Sequence, residues 1–166
     1  QFKDMFLVVE DGVINKFLLT TTPGTTWTPE LRTKYHVSYE ATICFGFHPH
    51  VYAVGNHRGY EALTQQGGSV TCFIDSNKDG LQQSGEKISI EKVGSGMNIH
   101  KSGADGQAYV GLSSAGCQVF PHWKDFFCVM DRVKKTEKYK ANPKATFSYL
   151  LLNSQEFPLM DEVRSL

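Results

Sequence analysis

The first part of the chain has two runs of apolar and β-branched residues, at positions 5–9 and 13–21. Asp11 and Gly12 lie between these runs. An Asp-Gly pair in this setting favours a two-residue turn whose twist matches that of the paired strands. The pattern therefore predicts an antiparallel hairpin at the start of the chain.

Later segments also have the composition of short strands. They are rich in β-branched, aromatic or alternating apolar residues, and they comprise residues 43–47, 59–64, 69–74, 87–91, 97–100 and 145–152. Such residues pack well on a pleated, half-buried surface. Residues 25–40 are instead polar, rich in Thr and interrupted by Pro29, so we predict a loop there.

One segment repeats its large apolar residues with the period of an α-helix. These residues are Phe120, Trp123, Phe126, Phe127, Met130 and Val133. Their spacing places them on one helical face. Pro121 suits the first turn of a helix, and Pro143 forbids its continuation. Many strands with one main helix predict a single β-dominated α+β domain over residues 1–166.

Charge and composition argue against several classes of protein. The 166 residues contain 17 basic and 17 acidic side chains, so the net charge is zero. This balance argues against a nucleic-acid binder that relies on a basic surface. No apolar run approaches the roughly 18 residues of a membrane-spanning helix, so we predict none. Because the first residue is Gln1 rather than Met, we expect a chain that was processed or cut from a longer product.

The strongest chemical signal is a cysteine that directly follows a glycine. Cys117 follows Gly116, and His100 precedes the cysteine by 17 residues. A thiol becomes an effective nucleophile when a base or a positive environment turns it into a thiolate. Gly116 would leave room for a substrate carbonyl beside backbone N–H groups. The alternative is a buried core thiol with a hydrogen-bonded strand histidine, because buried cysteines are common.

This segment resembles the catalytic motif of the L,D-transpeptidase (YkuD-like) family. In that family a His is followed by a Ser/Thr-x-Gly-Cys element. The matching positions here are His100, Ser114, Gly116 and Cys117. Residues 21–24 and 56–63 also look like segments of phage and bacterial cell-wall proteins of this broad type. The resemblance covers most of residues 15–130, and only the His and Cys motif is specific.

The resemblance implies a β-sandwich or barrel with its main helix after the catalytic cysteine, and an acyl-transfer reaction. His100, oriented by a backbone carbonyl, would accept the thiol proton, and Cys117 would attack a carbonyl in a peptidoglycan stem peptide. Backbone N–H groups near Gly116 and Cys117 would stabilise the oxyanion. The thioester would pass to water in a hydrolase or to an amine in a transpeptidase. Such a protein needs no cofactor for catalysis and acts at the bacterial cell wall, as phage lysis or entry proteins do.

The resemblance also implies a substrate cleft and a preferred reaction. His57, Arg58 and Tyr60 would line this cleft, and the Arg58 guanidinium would hold a stem-peptide carboxylate with two hydrogen bonds. Ala115 and Val119 differ from the residues usual in the family. Because these positions are most uniform in transpeptidases, the differences slightly favour hydrolysis.

A second motif has the spacing of a calcium-binding loop. Residues 75–86 fit the pattern D-x-[DN]-x-[DN]-G-x5-E. The candidate ligands are Asp75, Asn77, Asp79, Leu81 and Glu86. Hard oxygen ligands suit Ca²⁺, which would have a structural role here. The flanking residues predict strands rather than the helices of an EF-hand, and the alternative is a polar hairpin loop.

Two other functions remain open from the sequence. One is a non-catalytic virion or cell-wall-binding domain that keeps the fold, which the reactivity of Cys117 would distinguish from an enzyme. The other is a zinc hydrolase built on His48, His50 and His57, with Glu61 nearby, because His-x-His with a third ligand is a pattern of zinc sites. The sequence favours surface or cleft histidines over that zinc site. It does not determine the oligomeric state.

Overall fold

The structure is a computed structural model, and it describes residues 2–75 and 83–153. The strands are β1 (Asp4–Glu10), β2 (Val13–Leu19), β3 (Thr42–Ile43), β4 (Gly46–His57), β5 (Tyr60–Gln65), β6 (Val70–Ile74), β7 (Lys87–Glu91), β8 (Ile99–Lys101), β9 (Gln118–Phe120) and β10 (Phe147–Leu151). The helices are α1 (Pro29–Tyr35), α2 (Trp123–Lys135) and α3 (Glu137–Ala141), with a 3-10 turn at Gly111–Ser113. The predicted β-dominated α+β fold is confirmed.

The largest sheet is mixed and has five strands in the order β10-β4-β5-β8-β9. β8 and β9 pair in parallel, whereas the other neighbours are antiparallel. A parallel pair cannot be closed by a tight turn and needs a long connection. Residues 102–117 form that connection, and they carry the cysteine segment.

Two smaller sheets complete the β structure. β3, β6 and β7 form an antiparallel sheet, and β1 pairs with β2 as the predicted hairpin. Asp11 and Gly12 both have positive φ, which is the conformation that the two-residue turn requires. A bridge between Thr20 and Val119 joins the end of this hairpin to β9.

One hydrophobic cluster connects the three sheets and α2. Its fully buried members include Leu19 of β2, Ile43 of β3, Tyr52 and Ile99 of the five-stranded sheet, and Phe126 of α2. Each such side chain contributes about 1.5–3 kcal/mol by burial. The strands around the cysteine segment are therefore held by the main core of the domain.

The prediction of a loop over residues 25–40 is wrong for α1. The Thr28 hydroxyl caps this helix by accepting a hydrogen bond from the Leu31 N–H at 3.3 Å, and Pro29 occupies the first turn. A proline in that position starts a helix, because its missing N–H has no intrahelical partner there in any case. His36 ends α1 in the left-handed conformation.

The predicted main helix is present but begins later than its apolar period indicates. Phe120 lies in β9, where pairing with β8 holds the backbone extended, and α2 starts at Trp123. Phe127 is 49% exposed, whereas Val129 is buried, so the buried face of α2 is rotated from the predicted one. Among the described helices, none is both long and apolar enough to cross a membrane.

Candidate active site

The parallel pairing of β8 with β9 brings His100 and Cys117 to one place. His100 pairs with Val119, and Cys117 directly precedes β9, level with Asn98 by extension of the same register. Both side chains line a cavity of about 390 Å³. His100 is buried and Cys117 is half-buried. The tertiary structure thus brings together the two residues that the sequence motif singled out.

Neighbouring elements hold the segment that carries Cys117. The Ser114 hydroxyl donates to the Cys117 carbonyl at 2.7 Å and accepts from the Gly116 N–H at 3.0 Å. The Trp27 indole N–H and the Gly24 N–H both donate to the Ser114 carbonyl. Ser114 therefore fixes the turn beneath the thiol, and Gly24 anchors that turn.

Glycine at position 116 is required by close packing. A Cβ atom on Gly116 would lie 2.6 Å from Met97 Sδ and 3.0 Å from the Ala41 carbonyl oxygen. These separations are shorter than ordinary contacts, so any side chain would displace the Cys117 segment or Met97. The glycine keeps the cysteine close to the loop that precedes β8.

The Cys117 thiol is protonated at neutral pH. Its Sγ donates to the Gly96 carbonyl at 3.0 Å. Burial raises the pKa of the Cys117 thiol above its ordinary value, and this effect outweighs a backbone hydrogen bond from Asn98 and the positive charge of Arg58. A buried thiol with a raised pKa needs a base at the moment of reaction.

His100 has the protonation state of such a base. Its Nδ1 lies 2.7 Å from the Lys101 carbonyl oxygen. Because a carbonyl only accepts hydrogen bonds, Nδ1 carries the hydrogen and Nε2 keeps its lone pair. Burial lowers the pKa of His100 to about 4; the hydrogen bond to the Lys101 carbonyl opposes this shift, and the positive charges of Arg58 and Lys101 add to it. The imidazole is therefore neutral at physiological pH.

His57 stacks directly on His100. The two ring centroids lie 4.3 Å apart, with an angle of 19° between the ring planes. The Asn98 amide nitrogen lies 3.1 Å from His57 Nδ1. Burial, followed by the charge of Arg58, lowers the pKa of His57. Two neutral imidazoles thus lie face to face at the wall of the cavity.

The residues predicted to line a substrate cleft are all at this site. His57 and Arg58 line the cavity that contains Cys117. They also line, with Tyr60, an adjoining cavity of about 520 Å³. Arg58 is exposed at the turn between β4 and β5, and no carboxylate of the described residues pairs with it. Its guanidinium is available to an anionic group.

Lys101, the neighbour of His100, is held by aromatic rings. Its ammonium lies 3.4 Å from the centroid of the Trp123 ring and 4.6 Å from that of Tyr60. A cation over a ring face is attracted by the ring quadrupole. Burial raises the pKa of Tyr60 to about 12, so its hydroxyl stays protonated and donates to the Lys101 carbonyl at 3.4 Å. These contacts hold the side chain and the carbonyl of Lys101, the residue that follows His100, in one position.

The backbone N–H groups around the thiol are not equivalent. The Gly116 N–H is occupied by the Ser114 hydroxyl, and the Gln118 N–H donates to the Asn98 carbonyl at 2.8 Å. The Cys117 N–H has no hydrogen-bond acceptor among the described residues. Of these three groups, the Cys117 N–H is the one free to meet an oxyanion, which differs from the pair near Gly116 and Cys117 predicted from the sequence.

The candidate calcium loop lies between two paired strands. Asp75 directly follows β6, and Glu86 directly precedes β7, so the strand flanks predicted for this loop are confirmed. Glu86 Oε2 accepts from the Gln83 N–H at 2.9 Å. Asn77, Asp79 and Leu81 lie outside the described residues, so calcium binding stays a prediction.

The histidines of the zinc hypothesis are not brought together. His48 and His57 lie at opposite ends of β4, which at ~3.3 Å per residue places them on the order of 25–30 Å apart. His48 is buried, with its Nε2 2.9 Å from the Cys44 carbonyl oxygen, whereas His50 is exposed. Glu61 pairs instead with Lys134 at 2.7 Å. In residues 2–75 and 83–153, no three His, Cys, Asp or Glu side chains are placed to share a metal ion.

Sequence reasoning missed the contacts of Asn98 and the hydrogen bond that Trp27 makes to the cysteine segment. Asn98 contacts His57 through its side chain and Gln118 through its carbonyl, yet a polar residue before a short strand carries no signal of such a role. Trp27 is buried and lines the cavity, and its bond to the cysteine segment joins positions 87 residues apart. Only the tertiary structure shows either contact.

We expect Cys117 to react slowly with iodoacetamide at pH 7 and increasingly fast as the pH is raised toward and above 9. The reason is that burial raises the pKa of the thiol, while a neutral His100 does not stabilise the thiolate. Rates for each cysteine would be measured by peptide mapping with mass spectrometry. Fast alkylation of Cys117 that is constant between pH 5 and 7 would instead demonstrate a thiolate–imidazolium pair and contradict this assignment.

The chain was compared with protein families, curated proteins and solved structures. No family model, no curated protein and no solved structure matches the chain. The resemblance to L,D-transpeptidases therefore rests on the sequence motif of His100, Ser114, Gly116 and Cys117 alone.

Proposed function

We propose that this protein is a cysteine-dependent acyl-transfer enzyme that acts on stem peptides of peptidoglycan at the bacterial cell wall. One observation carries the proposal: Cys117 and a neutral His100 with a free Nε2 lone pair line the same cavity. A thiol and a neutral imidazole that share one cavity have the two groups that covalent catalysis of acyl transfer needs, a nucleophile and a base. The peptidoglycan part of the proposal rests on the L,D-transpeptidase resemblance.

The first half of the reaction forms a thioester. His100 Nε2 takes the proton of the Cys117 thiol, and Sγ attacks a peptide carbonyl of the substrate. The Cys117 N–H would donate to the developing oxyanion, and one such donor contributes about 2.7–4 kcal/mol to transition-state stabilisation. As the tetrahedral intermediate collapses, the C–N bond breaks and His100 returns its proton to the leaving amine.

The second half transfers the acyl group to an acceptor. Water, deprotonated by His100, releases a carboxylic acid in a hydrolase, whereas an amine forms a new amide in a transpeptidase. Both routes regenerate the thiol and need no cofactor. We favour hydrolysis slightly, because Ala115 and Val119 differ from the residues usual in transpeptidases.

Substrate binding in this proposal uses the cleft beside the base. Arg58 is exposed, lines both cavities, and lacks a carboxylate partner among the described residues. A guanidinium binds a carboxylate with two parallel hydrogen bonds. Arg58 would therefore hold a carboxylate of the stem peptide while Cys117 attacks the neighbouring carbonyl.

Digestion of purified peptidoglycan tests the enzyme directly. Wild-type protein is expected to produce new peptide ends, or new crosslinks, that mass spectrometry of the muropeptides identifies. Cys117→Ala should produce neither, and Cys128→Ala, which removes another half-buried thiol on α2, should behave as wild type. An unchanged muropeptide profile with wild-type protein on several wall types would refute the enzyme and favour a wall-binding or virion domain.

A further inference from the structure

The orientation of the Asn98 side chain is fixed by its two partners. Asn98 Oδ1 accepts a hydrogen bond from the Gln65 backbone N–H at 2.9 Å. A backbone N–H only donates, so the amide oxygen must face Gln65 and the amide nitrogen must face His57. This assignment follows from hydrogen-bond chemistry and not from the distinction between nitrogen and oxygen atoms.

The Asn98 amide in turn fixes the tautomer of His57. Its nitrogen, 3.1 Å from His57 Nδ1, has hydrogens but no lone pair to offer. His57 Nδ1 must therefore accept, which leaves the imidazole hydrogen on Nε2. A doubly protonated His57 would place an N–H against the Asn98 NH₂ group, so this contact favours the neutral ring.

The neutral His57 ring covers one face of His100. The stack at 4.3 Å restricts rotation of the His100 ring about its side-chain bonds, and the bond from Nδ1 to the Lys101 carbonyl fixes the ring in its own plane. Tyr60 packs edge-on against His57, with the ring centroids 5.6 Å apart. The charged or titratable groups that surround the pair are Arg58, Tyr60, Lys101 and Cys117.

Asn98 also contacts the strand that directly follows the nucleophile. Its backbone carbonyl accepts from the Gln118 N–H at 2.8 Å, directly after Cys117. Asn98 is thus linked to both reacting residues. Its main chain bonds to the residue after Cys117, and its side chain contacts His57, which stacks on His100. A displacement of Asn98 would move both reacting groups.

We propose that Asn98 and His57 are positioning residues for the His100 base: the Asn98 amide holds His57 as the neutral Nε2–H tautomer, and the stacked His57 ring holds His100 neutral and correctly oriented. This inference rests on the proposed function. It assigns His57 a role in the orientation of the base in addition to the lining of the cleft. Where a histidine is the reacting group, a neighbouring hydrogen bond often fixes the orientation and the tautomer of its ring.

Asn98→Asp is the sharpest test, because it keeps the shape and the acceptor for the Gln65 N–H but removes the donor to His57. Two acceptors would then face each other, so His57 takes a proton on Nδ1 and its pKa rises above its ordinary value. Nitrogen-15 NMR of the imidazoles, assigned with a His57→Asn variant, should show Nε2–H in the wild type and an Nδ1 proton in Asn98→Asp. A wild-type His57 with its hydrogen on Nδ1 would overturn the proposal.

The pH profile provides a second, independent readout. At pH 6 we expect kcat/KM of Asn98→Asp to fall about tenfold or more, because an imidazolium stacked on His100 weakens the base. Activity should recover toward pH 9, as His57 loses its second proton. Damage to the fold alone would lower activity equally at every pH. The matched control is Asn142→Asp, which introduces the same charge at an exposed turn and should leave the profile unchanged.

A His57 pair of variants keeps the proposal testable if Asn98→Asp does not fold. His57→Phe retains a flat ring for the stack, and His57→Ala removes it, so we expect the Phe variant to retain most of the kcat that the Ala variant loses. Equal kcat values for His57→Ala and the wild type would refute the positioning role. If wild-type protein cleaves no peptide, the proposed function fails, while the NMR tautomer still decides whether Asn98 fixes His57.

Discussion

Replacing His100 by Asn is expected to lower kcat/KM for peptide cleavage by about 10²- to 10⁴-fold. The Asn amide still offers an N–H toward the Lys101 carbonyl, which accepts from His100 Nδ1 at 2.7 Å, but it has no basic nitrogen to take the thiol proton. The loss should appear in kcat, because the interaction with the proton is made in the transition state. Steady-state kinetics on soluble muropeptides would measure it.

His122→Asn is the matched control for this substitution. His122 is exposed before α2, and its side chain makes no capping hydrogen bond. We expect its kinetics to equal those of the wild type. A His100→Asn variant that keeps wild-type kcat/KM would remove His100 from the mechanism.

The wild-type activity should depend on pH through the same residue. Because burial lowers the pKa of His100 to about 4, the base is neutral above that pH and activity is lost only as the pH falls through about 4. The thiol, whose pKa is raised, stays protonated well past neutrality. We therefore expect a broad plateau of activity between about pH 5 and 8. A thiolate–imidazolium pair would give the same plateau, so the pH dependence of Cys117 alkylation is the measurement that separates the two states.

The free energy of unfolding should also change with pH in a direction set by His100. In the folded chain its pKa is about 4, whereas the ordinary value is 6.5, so between these values the unfolded chain binds more protons. Stability is therefore retained above pH 6.5 and falls as the pH drops toward 4, by up to about 3 kcal/mol. Denaturant unfolding of wild type and His100→Asn at pH 7 and pH 4.5 should show a smaller drop in the variant.

Phe120→Ala is expected to lower the free energy of unfolding by about 3–5 kcal/mol. Phe120 is fully buried in β9, and its ring packs against Phe6 at 5.4 Å and Phe126 at 6.0 Å between centroids. Its removal leaves a cavity where the hairpin, β9 and α2 meet. For a domain of this size the change corresponds to a decrease in Tm of roughly 6–20 °C. Thermal and denaturant unfolding would measure both quantities.

Phe127→Ala is the matched control, since it removes a side chain of the same kind from an exposed position on α2. Phe127 is 49% exposed, although its ring contacts Phe126, so we expect a loss of about 1 kcal/mol or less. Equal losses from the two substitutions would contradict the placement of Phe120 in the core. Equal losses would instead agree with the sequence prediction that Phe120 and Phe127 lie on the same face of one helix.

Sequence patterns predicted the structure correctly where neighbouring residues determine it. Asp11 and Gly12 predicted the first hairpin, because the two-residue turn needs positive φ at both positions and these residues tolerate it. The apolar and alternating segments predicted most strands, because successive side chains of a strand point to opposite faces of the sheet. The loop predicted at α1 failed because Pro29 was weighed as an interruption, while the Thr28 cap and the first-turn position make it a start signal.

Phe120 shows where periodicity stops being informative. Its spacing continues the helical period of α2, but hydrogen bonds to β8 hold it in a strand. A partner strand that is distant in sequence decides between the two, and a short apolar run cannot reveal that partner. The same limit applies to Asn98, whose partners lie on β4, β5 and β9.

The sequence by itself determined the β-dominated α+β class, the candidate pair His100 and Cys117, and the strands that flank the calcium-loop motif. These properties depend on residue type and on spacing over a few positions. The tertiary structure alone decided that His100 and Cys117 share a cavity, that His100 keeps Nε2 free, and that His57 stacks on His100 and contacts Asn98. Those properties depend on the parallel register of β8 and β9 and on burial, which arise only when distant segments pack together.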